Sequence, residues 1–124
     1  MTSWAANELA TIGGAEEVEV APDRENGAPG RATTIWVVRV GNDLYIRSYR
    51  GPSGGWYRRA IRSRRGTIRG GRLERRVWFD DAEADRNAQI DEAYQTKYAA
   101  YSSLVSPMVA PAAVATTLRL RLAD

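Results

Sequence analysis

Thr34-Ile35-Trp36-Val37-Val38-Arg39-Val40, then Gly41-Asn42-Asp43, then Leu44-Tyr45-Ile46-Arg47-Ser48-Tyr49-Arg50: from this run the architecture can be worked out in both directions. Its flanks are rich in β-branched and aromatic residues, which suit a pleated, half-buried surface, and Gly-Asn-Asp between them is a three-residue hairpin signal. The two flanks are therefore read as an antiparallel pair of strands. Upstream, Glu17-Val18-Glu19-Val20 alternates as a half-buried strand within 16–21, and Pro22 to Arg31, with Asn26-Gly27 and Pro29-Gly30, reads as a loop. Downstream, Gly51 to Gly55 reads as a flexible loop and Trp56 to Arg62 as a strand. Thr67-Ile68 and Leu73 to Phe79 form a further pair joined near Gly70-Gly71.

Helical signals stand at the start of the chain and late in it. Residues 3–11 form a short amphipathic segment with Ser3 at the N-cap position, Trp4, Leu9 and Ile12 as apolar points, and Gly13-Gly14 as its stop. Ile90, Tyr94, Tyr98, Tyr101 and Val105 recur at helical spacing behind a capping residue at Asp80 or Asp81, and Pro107 and Pro111 end that helix. Val114 to Leu122 then alternates as a closing strand. The expected fold class is α+β: a small antiparallel β-barrel of about six strands, with a short N-terminal helix and one long helix before the C-terminal strand. Strands this apolar would invite edge pairing if the sheet were flat and open.

Residues 1–124 are expected to make a single domain, since 44% hydrophobic and 27% charged residues is ordinary for one folded core of this size. The chain has neither histidine nor cysteine. That excludes a Ser-His-Asp triad, an imidazole base, a thiolate nucleophile, a disulfide and the usual zinc ligand sets, so no metal site is expected. Chemistry at such a protein rests on carboxylates, Tyr, the single Lys97, hydroxyls, backbone amides, or a ligand that brings its own reactive atoms. No apolar run is long enough to span a membrane, and Met1-Thr2-Ser3-Trp4 lacks the layout of a signal peptide, so the expected setting is the cytoplasm.

The net charge of +3 conceals segregation: 39–76 carries twelve Arg against Asp43 and Glu74, whereas 1–30 carries six acids against Arg24. Nine of those arginines lie in Arg58 to Arg76, next to Trp56, Tyr57 and Trp78, the composition of a surface that tracks phosphates. The acidic segments can also neutralise it within the fold.

Ile35-Trp36-Val37-Val38, Leu44-Tyr45-Ile46-Arg47-Ser48, Gly51, Trp56-Tyr57-Arg58, Ile90-Asp91 with Tyr94 and Lys97-Tyr98, and Thr116 to Leu120 together resemble a family of small bacterial proteins within the FMN-binding split-barrel superfamily. Ser48 to Arg58 is also similar to the matching stretch of deazaflavin-dependent nitroreductases, in which a strand ending in Ser runs into a Gly-rich loop and Trp-Tyr-x-Asn. Arg59 stands where that pattern has Asn. The resemblance implies a split barrel, a homodimer, and a site for FMN or a deazaflavin built from Arg47, Ser48, Arg50, Gly51, Gly55, Trp56, Tyr57 and Arg58. The implied activity is a flavin- or deazaflavin-dependent oxidation or reduction of a small organic substrate, with Tyr57, Tyr94 and Lys97 as candidates for proton donation.

Two alternatives stand beside it. One is a cofactor-free split barrel that binds or reshapes a small molecule, motivated by Arg59. The other is a basic binding surface, Arg58 to Arg76, for nucleic acid or an acidic partner. Trp36, Trp56 and Trp78 are either an aromatic wall for a flat ligand or ordinary core.

Overall fold

The computed structural model describes residues 3–123. Seven strands form one antiparallel sheet: β1 (Val18–Pro22), β2 (Thr33–Ile35), β3 (Val38–Val40), β4 (Asp43–Ile46), β5 (Arg65–Gly70), β6 (Leu73–Asp81) and β7 (Leu118–Leu122). Five α-helices accompany them: α1 (Ala6–Gly14), α2 (Gly55–Ser63), α3 (Asn87–Lys97), α4 (Ser102–Met108) and α5 (Pro111–Val114). The order across the sheet is β2-β1-β5-β6-β7-β4-β3. The two edge strands are thus consecutive in the chain, separated only by Trp36 and Val37. The sheet curls until its edges face each other across a seam bridged by the chain itself, which is a split barrel.

Alternation sorts the side chains into two cores. Val18, Val20, Ile68, Val77, Phe79, Leu44, Ile46, Leu118 and Leu120 point inward and are buried, together with Leu9 and Ile12 of α1 and Trp56 and Ala60 of α2. Trp4 joins this core and donates from Nε1 to the Leu120 carbonyl at 2.8 Å. The second core lies outside the barrel, where Val38 and Tyr45 of β3 and β4 meet Ile90, Tyr94, Tyr98, Val105 and Met108. No helix among the described residues is long and apolar enough to cross a membrane.

Several local expectations change. Thr34 to Val40 is two short strands rather than one, because the chain leaves one edge of the sheet at Ile35 and joins the other at Val38. The β3–β4 turn has two residues, with Val40 opposite Asp43 and Gly41 at φ 61°, a left-handed position that favours glycine. Trp56 to Arg62 is helix: Trp56 and Ala60, four residues apart, bury one face, and the helix ends at Arg64 with φ 60°. The first helix starts later than expected, with Ala5 rather than Ser3 at its N-cap and the Glu8 carboxylate accepting from Ala5 N–H at 2.8 Å. Asp80 and Asp81 finish β6 instead of capping a helix, paired with Arg119 and Arg121 and with Arg64 respectively. The expected long helix is divided, because the chain turns at Ala99–Tyr101 and again after Met108, whereas Pro107 lies inside α4.

Candidate functional site

Beside the seam, a cleft of about 530 Å³ opens between β2, the end of β4, the start of α2 and α4. It forms because three segments converge there. β2 brings Thr33, Thr34 and Ile35 and leads into Trp36; β4 runs out into Arg47, Ser48, Tyr49 and Arg50; the Gly51–Ser53 turn then swings the chain so that Gly54, Gly55 and Trp56 start α2 at the wall of the cleft. Gly51, at φ 67°, makes that swing possible, and its N–H donates to the Ser48 carbonyl at 2.9 Å. Gly54 packs closely here: a Cβ would stand 2.2 Å from Ser48 Oγ, so that hydroxyl would have to turn away.

The start of α2 has no capping side chain and no acid in its first turn, so its first N–H groups lack helical acceptors and its dipole end is positive. Arg31, Arg50 and Arg59 line the same cleft. None of the three makes an ion pair among the described residues, and Arg59 Nε is buried with no hydrogen-bond partner. Glu17 is the one carboxylate on the lining. Trp36 and Trp56 supply aromatic walls, while the exposed rings and chains of Tyr49 (58% accessible) and Leu104 (48%) stand at its mouth.

Of the eight residues implied for a cofactor, Arg47, Ser48, Arg50, Gly55 and Trp56 line this cleft, and Gly51, Tyr57 and Arg58 do not. Gly51 acts through the turn, and Tyr57 packs on the inner core edge-on to Trp56. Arg47 reaches the cleft, yet its guanidinium is engaged elsewhere. Nε donates to Thr117 Oγ1 at 2.8 Å, Nη1 to Asp91 at 2.5 Å and to the Met108 carbonyl at 3.1 Å, and Nη2 to the Asn87 carbonyl at 3.5 Å. It ties β4 to the outer helices and has little left to offer an anion. Arg31, Thr33, Thr34, Arg59, Leu104 and Met108 complete the lining without having been singled out as ligand contacts; the pairing of β2 with the far edge brings the first three there.

The proton-donor candidates lie away from the cleft. Tyr94 is fully buried against Arg47, and burial pushes its hydroxyl far above the usual tyrosine range. Lys97 is pushed down to about 8 by burial, with Glu16 acting the other way. Its ammonium, however, donates to the carbonyls of Gly13, Ala15 and Val37 at 2.9, 2.6 and 2.7 Å.

Much of the basic stretch is neutralised inside the fold. Arg62 pairs with Glu25, Arg64 with Asp81, Arg69 with Glu19 and Glu74, Arg75 with Glu8, and Arg76 with Asp23. Arg65 instead lies over Trp78, 4.8 Å from the ring centre, with Arg121 at 5.6 Å from the same ring. The cleft arginines are therefore among the cations left without an acid.

The family described as "Uncharacterized protein conserved in bacteria (DUF2255)" matches residues 8–120. The chain belongs to this family. Among solved structures it is similar to one titled "F420 Reductase", with TM-score 0.57 and 16% identity over 99% of this chain and 97% of that one. It is also similar to the conserved hypothetical protein Rv2991 from Mycobacterium tuberculosis, with TM-score 0.59 and 13% identity over 98% of this chain and 81% of that one. At these identities the likeness shows the fold alone, and the DUF2255 chain shares the split-barrel architecture of both. No functionally curated protein matches its sequence.

Proposed function

We propose that this DUF2255 protein binds a planar, anionic cofactor of the flavin or deazaflavin class in the cleft and serves an oxidation or reduction of a small organic molecule. The observation that carries the reading is the convergence of Arg31, Arg50 and Arg59, unpaired, on the uncapped start of α2 beside two tryptophans. Guanidinium groups and helix-start N–H groups suit a phosphate, and an apolar wall suits a ring system. Arg59 Nε, buried without a partner, is satisfied by an acceptor on such a ligand. The cofactor supplies hydride transfer when bound. The chain's own residues hold its anionic end, flank its ring with Trp36 and Trp56, and limit water between β2 and α4.

Tyr49 and Leu104 at the mouth support a second copy of the chain covering the cleft, so a homodimer belongs to the same reading. Sedimentation at micromolar concentration checks this, and a monomer removes the dimer from the proposal. The cofactor is tested by titrating FMN, FAD and a deazaflavin against the purified protein while following the visible spectrum and the melting temperature. Binding of one of them, weakened about tenfold by Arg59→Ala, is the expected result, since one charge-assisted hydrogen bond corresponds to that factor. No response to any of the three overturns it. That result would favour a cofactor-free cleft for another small anion, a reading to which the commitment of Arg47 to Asp91 lends support.

A further inference from the structure

We infer that Lys97 is a positioning residue of the cleft, which by clamping the barrel seam holds Trp36 in place as the ring-stacking wall; this rests on the reading of the cleft as a site for a planar ligand. The seam is where such a device is needed. β2 and β3 are not hydrogen-bonded to each other, and the chain between them, Trp36 and Val37, carries one of the cleft's aromatic walls.

Lys97 ends α3 and reaches across the seam. An ammonium has three N–H donors, and here three carbonyls accept them: Gly13, Ala15 and Val37. Gly13 lies in the last turn of α1 and Ala15 is its C-cap, a helix end with no basic residue of its own. Lys97 thus caps the negative end of α1 from 82 residues or more along the chain and ties that end to the strand switch.

Tyr98 completes the clamp. Its hydroxyl donates to the Glu16 carbonyl at 2.7 Å and accepts from Val37 N–H at 3.3 Å. Its ring lies parallel to the Trp36 indole, with centroids 3.8 Å apart and planes within 4°. One face of Trp36 is therefore covered by Tyr98, and the Lys97 ammonium stands 5.0 Å from the Tyr98 ring. Lys97, Val37, Tyr98 and Trp36 form one connected unit from α1 to the cleft. An arginine would carry the charge but spreads its donors over a planar fork, whereas the three carbonyls converge on a point.

The absence of cysteine makes a clean test available. Lys97→Cys, alkylated with 2-bromoethylamine in denaturant and refolded, restores an ammonium on a side chain of lysine's length at that position alone. With 5-fluorotryptophan incorporated, fluorine NMR resolves the tryptophans, and Trp36→Phe assigns the relevant signal. In Lys97→Met and in unmodified Lys97→Cys the Trp36 signal is expected to shift or broaden while that of Trp78 stays, and aminoethylation is expected to return it. A Trp36 signal unchanged in both variants overturns the inference. So does a collapse of all tryptophan signals to their unfolded positions that aminoethylation does not reverse. FMN affinity, read in parallel, is expected to fall about tenfold in Lys97→Met and to recover in the aminoethylated protein. If the native protein takes no FMN, the reading of the cleft falls, and the fluorine signals still decide the role of Lys97.

Discussion

Replacing Arg47 by Met should cost about 3 kcal/mol of stability, and the sum can be worked bond by bond. The Arg47 side chain is wholly buried and makes four hydrogen bonds. Met fills similar volume, so the loss is polar. Asp91 is 34% accessible and can take up water, which limits its share to about 1 kcal/mol. Thr117 loses only an incoming donor, since its own hydroxyl still donates to the Val114 carbonyl at 2.7 Å. The Met108 carbonyl is left buried without this donor, a cost of about 1 to 2 kcal/mol, and the stack on Tyr94 at 5.5 Å goes too. For 124 residues the unfolding entropy is about 0.26 kcal/mol/K, so the melting temperature should fall by about 11 °C. Asp91→Asn keeps an acceptor and should cost only about 1 kcal/mol. Thermal and urea denaturation of the three proteins measure these values. A loss under 1 kcal/mol in Arg47→Met, or an equal loss in both variants, would show that the guanidinium does not anchor the outer helices.

Other outcomes follow from particular contacts. The Glu8 carboxyl is held below its ordinary 4.5 by the Ala5 N–H and then by Arg75, and that of Asp80 below its ordinary 3.8 chiefly by Arg121. A depressed carboxyl contributes stability that is complete above its unfolded value and lost as pH falls through its folded value, so stability should decline below about pH 4.5 and keep falling below 3.8. Glu8→Gln should flatten the upper part of that decline in acid denaturation curves. Gly66→Ala should destabilise by about 1 to 3 kcal/mol, because backbone has to move: the new Cβ would stand 2.5 Å from the Ala21 carbonyl oxygen and 2.9 Å from Phe79. Gly54→Ala should weaken FMN binding with a small loss of stability, because its Cβ displaces Ser48 Oγ on the cleft wall; unchanged affinity by fluorescence titration would remove Gly54 from the site. Heparin retention should fall only slightly in Arg64→Gln, since Arg64 is already paired with Asp81; early elution of the variant would restore the basic-surface reading.

The hairpin of β3 and β4 and the alternation of β7 are legible in the sequence because they are local: a glycine turn and a period of two. The closing strand is shorter than its alternation from Val114 suggests, because Val114 ends α5 and pairing begins only at Leu118. α2 is not, because Trp56 and Tyr57 favour strands when taken alone, and the signal that the barrel uses is the spacing from Trp56 to Ala60. The cleft is half legible for a similar reason. Ser48, Arg50, Gly55 and Trp56 lie in one stretch, whereas Arg31 and Thr33 reach it only through the pairing of β2 with β1 at the opposite edge of the sheet. Nor can spacing distinguish an arginine that binds a ligand from one that binds Asp91, 44 residues away. Lys97 stands out as the single lysine, but its meaning lies in three carbonyls far from it in sequence.

The place of β7 has a consequence for how the molecule comes to be made. It lies between β6 and β4, so the last strand of the sheet in chain order is an interior one. Before it docks, β2-β1-β5-β6 and β4-β3 have no hydrogen-bonded ladder in common, and the pairing of Leu44 with Leu120 closes a loop of 76 residues. Such distant pairings are slow to form and leave two strand edges open in the meantime. On the ribosome the sheet cannot be completed until residues 118–122 have emerged, and until then β6 and β4 each keep an edge unpaired.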